Sequence, residues 1–139
     1  MPKRYLDCDV LAAARERIRW TFDTYDRAYL SYSAGKDSTV MLHMAAQEAR
    51  ARGARLGVLL VGLEGQYRCA IDHALRQLTD YGDVLDVHWL CLPIALRNAV
   101  SVFEPKWLCW DPDKEDAWIR RPPTEATTTW DQFPWFVPG

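Results

Sequence analysis

The chain has 139 residues, which allows one domain with a real core and not two. Its 49% hydrophobic and 26% charged residues exclude a disordered chain. Its formal charge of −2 excludes the strongly basic footprint of a protein that grips nucleic acid alone. The first sixty residues nonetheless hold ten Lys/Arg against seven Asp/Glu, and the remainder seven against twelve. A mildly basic first half suits a phosphate site better than a DNA groove.

Asp9 is placed to cap a helix over residues 10–24, where Leu11, Ala14, Ile18, Phe22 and Tyr25 recur at helical spacing. Residues 28–32 are short and β-prone. Residues 38–52 read as a second helix, closed by Gly53, with Arg50 and Arg52 suited to its C-terminal dipole. Leu56 to Val61 is apolar on both faces, which predicts a central strand covered on both sides. The ladder Tyr67, Ala70, Ile71, Ala74, Leu75, Leu78, Tyr81 predicts a third helix over 67–81, ended by Gly82. Val84 to Leu92 reads as a third strand. Strand and helix alternate at the spacing of a three-layer α/β unit with a parallel sheet. Residues 94–102 read as a short helix, and residues 103–139 as an irregular segment rich in Trp and Pro within the same single domain, 1–139. No fourth or fifth strand is legible, so the sheet is expected to be compact or incomplete at the C-terminus. No apolar run is long enough to span a bilayer, and the N-terminus lacks the apolar core of a secretory signal. Cys8, Cys69, Cys91 and Cys109 show no CxxC spacing. A cytoplasmic protein with free thiols, no membrane partner and no metal on its cysteines is the expectation.

The segment Ser33-Ala-Gly-Lys-Asp-Ser38 carries the chemistry. It follows a strand and opens a helix. Small residues at Ser33, Ala34 and Gly35 let backbone N–H groups turn toward an anion, and the helix N-terminus adds unpaired donors. Lys36 supplies a full charge and Ser33 and Ser38 hydroxyl donors. Asp37 beside a phosphate calls for Mg²⁺ between them, or else it caps the helix. The loop is neither a Walker A motif nor GxGxxG: Leu30 and Asp37 stand where the first wants Gly and Ser/Thr.

SxGKDS resembles the PP-loop signature of adenine-nucleotide α-hydrolases and of phosphoadenosine phosphosulfate (PAPS) reductases. The segments 63–67, 88–93, 97–101 and 104–111 resemble the immunoglobulin-binding regulator A branch of the PAPS reductase-like proteins. The resemblance implies a Rossmann-like, adenine nucleotide α-hydrolase-like sheet with the strand before the loop at its centre. It implies a nucleotide site at Ser33, Ala34, Gly35, Lys36, Asp37, Ser38 and Glu64, with Lys36 and Asp37 catalytic and Asp37 holding Mg²⁺. ATP would be cleaved to AMP and pyrophosphate, or an adenylyl sulfate such as PAPS handled. A non-catalytic nucleotide-binding regulator, or a subunit of a sulfur-transfer or nucleic-acid-modifying complex, are the alternatives. Three departures stand out. Gly62 occupies the position where an acidic residue is common, leaving Glu64 as the nearest carboxylate. The reductases' C-terminal cysteine motif is absent, as are the cysteine pairs of an iron–sulfur cluster. The chain is short for a five-stranded sheet.

Other residues have two readings each. His88 and Cys91, with Cys109, are either zinc ligands or, since residues three apart in a strand point to opposite faces, buried thiols. His43 either reaches the loop or lies on the helix surface, and His73 lies on a helix. Asp111, Asp113, Glu115 and Asp116 bind a cation or form a solvated turn. Arg120 and Arg121 reach a phosphate or a partner, or neither. Trp107, Trp110, Trp118, Trp130 and Trp135 stack bases or, as large aromatics more often do, cover a sheet or an interface. Residues 103–136 are expected to pack over the 28–32 strand or to mediate a homodimer or partner contact.

Overall fold

The computed structural model describes residues 7–131 and 133–137. The expectations for residues 1–6, 132, 138 and 139 lie outside the described residues. Helix α1 (Val10–Thr24) opens where Asp9 accepts a 2.7 Å hydrogen bond from the Ala12 N–H. This is the expected cap, satisfying one of the orphan donors of the first turn. Strand β1 (Tyr29–Ser31) leads into helix α2 (Lys36–Arg52), which starts two residues earlier than its apolar face suggests. Gly53 ends it with φ 62°, a left-handed conformation that glycine adopts without a Cβ penalty. Strand β2 (Leu56–Val61), helix α3 (Arg68–Asp80) and strand β3 (Leu85–Leu90) follow, as the periodicity predicts.

The sheet is parallel, in the order β1-β2-β3, with Tyr29 beside Gly57 and Leu56 beside Leu85. The fold is therefore α/β. One sheet face carries Leu56, Val58, Leu60, Leu85 and Trp89, which form a single core with Leu42, Ala46 and Ala49 of α2 and Ala74 and Leu78 of α3. The opposite face carries Ser31, Asp86 and His88, all exposed, and Tyr29, 74% exposed. The expected cover on both faces of β2 is thus corrected. Its residues alternate between buried and partly exposed, and the described residues form two layers rather than three. Helix α1 lies against α2, tied by Arg52 to Asp23 at 2.6 Å. Strand β1 is at the edge of this sheet, not at its centre.

The expected helix over 94–102 is also corrected. Ile94–Arg97 is strand β4, antiparallel to strand β5 (Lys106–Cys109) in a separate two-stranded sheet. Ile94 and Leu96 are sheltered while Ala95 and Arg97 are exposed, a period of two that fits a strand. Beyond them Asn98 accepts from the Val100 N–H and Ser101 from the Glu104 N–H. Such local bonds offer the backbone an alternative to the helix.

Residues 103–137 therefore contain regular structure: β5 and a 3₁₀ helix over Pro112–Ala117. Their hydrogen bonds to the parallel sheet and its following loops go to the ends of β2 and β3, not to β1. The Trp110 indole donates to the Gly62 carbonyl at 2.6 Å, and Thr127 bonds Trp89 and Cys91 along the outer side of β3. The expectation that this segment packs over residues 28–32 is corrected accordingly. Trp110 is buried, Trp107, Trp118 and Trp130 are half-buried, and Trp135 is exposed. Among the described residues, no helix is long and apolar enough to cross a membrane.

Candidate functional site

The loop sits at the carboxyl edge of the parallel sheet, where open α/β folds gather ligands. Tyr32 extends the pairing of β1, its N–H donating to the Leu59 carbonyl at 2.8 Å, and its ring is buried. The chain then turns through Ala34 at φ 59°. A left-handed alanine costs about 1 kcal/mol, and such strain collects at functional sites. Gly35 follows in an extended conformation as the N-cap of α2, with no side-chain cap. The N–H of Thr39 is the first to find a helical partner, the Gly35 carbonyl at 2.9 Å. The N–H groups of Lys36, Asp37 and Ser38 precede any carbonyl that a helix offers them. Asp37 lies inside the first turn and does not cap it.

Around these donors, Ser33 Oγ and Ser38 Oγ lie 3.1 Å apart. Lys36 Nζ and Asp37 Oδ1 are 3.8 Å apart, and both side chains are 91% exposed. Two charges so placed are free to rearrange around a ligand. Asp37 offers one carboxylate at the mouth of the loop. That donor set fits Mg²⁺, which is commonly held by one or two carboxylates together with substrate phosphates. Among the described residues no group of three or more His, Cys, Asp or Glu side chains is placed to hold a metal ion.

Behind the loop lies a polar cluster absent from the motif. Thr39 Oγ1 is 2.8 Å from the Gly35 carbonyl, 3.4 Å from the Tyr32 hydroxyl and 3.0 Å from His73 Nε2. Burial pushes the Tyr32 hydroxyl above its usual range, so it stays protonated. His73 comes from α3, 34 residues beyond Thr39. Its only sequence signal is that His73 lies one turn beyond Ala70 on the same side of α3. His43 takes the opposite role to the one that places it at the loop: its Nδ1 meets the Tyr81 hydroxyl and its Nε2 the Gln47 amide at 2.9 Å.

The end of β2 forms the neighbouring wall. Gly62 is packed so closely that a Cβ there would lie 2.5 Å from Trp89 Nε1 and 2.7 Å from Cys91 Sγ. No carboxylate fits at that position. Glu64 instead is 5% exposed, its Oε2 accepting from the Trp110 N–H at 2.8 Å while its own N–H points to Cys109 Sγ at 3.3 Å. It fastens the β4–β5 hairpin to the sheet. Arg120 closes this wall, donating to the Leu63 carbonyl at 2.7 Å and lying 4.9 Å over the Trp110 ring. Burial lowers its pKa from the ordinary arginine value. Burial also pushes the Cys91 thiol up to about 11, against the attraction of Arg120, and raises that of Cys109. All four cysteines are unpaired, Cys8 and Cys69 exposed and Cys91 and Cys109 buried.

The remaining candidates are placed away from the loop. His88 is exposed on β3, whereas Cys91 beyond the end of that strand is buried. Asp111 caps the 3₁₀ helix by accepting from the Asp113 N–H and pairs with Lys114 at 3.3 Å. Glu115 pairs with Arg121, whose guanidinium lies over the Trp118 ring, and Asp113 and Asp116 are exposed.

No family model matches the chain. It is 43% identical over 137 residues to the uncharacterized protein YbdN of Escherichia coli (strain K12). The match covers 96% of this chain and 33% of YbdN, so the chain spans about a third of the length of the curated relative it matches.

Proposed function

We propose that the chain is an adenine-nucleotide-binding PP-loop protein, similar to the PAPS reductase-like proteins, with a Rossmann-like nucleotide site at its carboxyl edge. The observation that carries this reading is the position of Ser33–Ser38. The loop joins the end of a parallel strand to the uncapped start of a helix, turning through the left-handed residue Ala34. In this reading the N–H groups of Lys36, Asp37 and Ser38 bind phosphate or sulfate oxygens, aided by the helix dipole. Ser33 and Ser38 add hydroxyl donors, and Lys36 swings from Asp37 onto the anion. When bound, Mg²⁺ screens the phosphate charge, and Asp37 is the residue of this chain that would hold it. Glu64 supports the site by anchoring the hairpin beside it.

The resemblance implies two reactions, cleavage of ATP to AMP and pyrophosphate or handling of an adenylyl sulfate; Cys91 and Cys109 bear on the second, while Cys69 in the first turn of α3 is exposed. Cys91 and Cys109 lie at the carboxyl edge, but both are buried with raised pKa values. A thiol attack on an adenylyl sulfate needs the thiolate, which these two positions disfavour at neutral pH.

Calorimetric titration with ATP, adenylyl sulfate and PAPS, with and without Mg²⁺, tests the reading. Saturable binding of at least one is expected, and Lys36→Ala should weaken it about ten- to a hundredfold, the worth of a hydrogen bond to a charged group. Unchanged affinity in that variant removes Lys36 from the site, and no binding of any of the three overturns the proposal. Release of AMP and pyrophosphate separates an enzyme from a binding module.

A further inference from the structure

The cluster behind the loop has more hydrogen-bond donors than its acceptor can take. The Gly35 carbonyl lies within reach of the Thr39 N–H at 2.9 Å, Thr39 Oγ1 at 2.8 Å and Ser38 Oγ at 3.1 Å. A carbonyl has two lone pairs. The Thr39 N–H, the first bond of α2, uses one of them. A single hydroxyl, from Thr39 or from Ser38, uses the other.

The Thr39 hydroxyl has one proton and a second acceptor to choose, His73 Nε2 at 3.0 Å. With the imidazole proton on Nε2, His73 donates to Thr39, and the Thr39 proton goes to the Gly35 carbonyl. The Ser38 proton is then free to point into the loop, toward Ser33 or a ligand. With the imidazole proton on Nδ1, Nε2 accepts the Thr39 proton. The Gly35 carbonyl then takes the Ser38 proton, and Ser38 no longer has it to offer an anion. The Tyr32 hydroxyl, buried and protonated, donates to Thr39 in either arrangement.

We propose that His73 is a positioning residue for the loop: through Thr39 it sets whether the Ser38 hydroxyl donates to the bound anion or to the Gly35 carbonyl. This rests on the nucleotide-binding reading of Ser33–Ser38. Binding of a phosphate or sulfate group selects the arrangement with the proton on Nε2, because only that one leaves Ser38 as a donor.

The test uses the full chain and whichever of ATP, adenylyl sulfate or PAPS it binds. Nitrogen-15 NMR of the imidazoles should show His73 moving toward the Nε2–H tautomer on saturation. Thr39→Val and Ser38→Ala should each lose about tenfold in affinity, one hydrogen bond to a charged group, whereas His73→Phe removes the competing acceptor, leaves the Thr39 proton to the Gly35 carbonyl and should bind at or above the wild-type affinity. His73→Gln, which keeps an N–H donor, and Thr39→Ser, which keeps the hydroxyl, should stay within about twofold of the wild type. Adding His73→Phe to Ser38→Ala should cost nothing further, since the proton it controls is gone. A tenfold loss in His73→Phe alone, or a His73 tautomer unmoved by ligand, overturns the inference while Lys36→Ala still reports on the loop. A wild-type chain that binds none of the three nucleotides overturns the parent reading and this inference together.

Discussion

Gly62 shows how one residue sets the character of the site. Its missing side chain lets Trp89 and Cys91 close over the end of β2, which is also why the nearest carboxylate lies two residues further on, at Glu64. Gly62→Ala should destabilise the fold by about 1–3 kcal/mol, the usual cost of overpacking a filled core. A denaturant midpoint unchanged from the wild type would contradict the packing at this point. The thiol beside it carries a pH signature. Burial raises the folded pKa of Cys91 from 9.0 to about 11, so from pH 9 upward the unfolded chain sheds this proton while the folded chain keeps it. Stability should therefore fall between about pH 9 and 11, where the folded state binds more protons. Cys91→Ala should show a shallower fall over that range. Denaturation curves of both proteins across it measure the difference, and parallel curves would argue against a buried Cys91.

At the scale of elements, the two helix-closing glycines do different work. The periodicity ends α2 at Gly53 and α3 at Gly82, yet only Gly53 is left-handed among the described glycines. Nothing lies within 4 Å of where a Cβ on Gly53 would sit, so the cost of a side chain there is conformational. Gly53→Ala should lower stability by about 1 kcal/mol, read as a drop in thermal midpoint with the spectrum of the folded state retained. The hairpin β4–β5 carries the other lesson at this scale. Ile94–Arg97 contains too few residues for its alternation to outweigh the neighbouring helix-compatible run, and its partner strand lies in a segment whose Trp and Pro content suggests a loop. Strand pairing supplied the information that four residues lack.

On the scale of the molecule, the C-terminal third is a buttress for the carboxyl edge. Trp110, Glu64, Arg120 and Thr127 tie it to the ends of β2 and β3. Ending the chain at Pro93 would uncover Trp89, Cys91 and the Glu64 carboxylate together. Such a fragment should be insoluble, since a fresh apolar patch is exposed. A soluble, monomeric 1–93 fragment that still binds nucleotide would show the buttress to be dispensable. The sheet face bearing Tyr29 and the free edge of β1 remain open in the described residues. Parallel sheets are usually covered on both faces, and this face departs from that pattern.

What the sequence determined by itself is the local code: the Asp9 cap, the spacing of apolar residues in three helices, the β-prone runs between them, and the loop Ser33–Ser38 between strand and helix. These depend on interactions within a few residues, so they are legible in the order of side chains. What only the tertiary structure decided is which distant groups meet. Tyr32 and His73 reach Thr39, Glu64 is taken by Trp110 rather than left facing outward, and the helices leave one sheet face open. Those outcomes follow from strand order and packing across tens of residues, where hydrogen-bond partners are chosen by proximity in space and no local pattern records the choice.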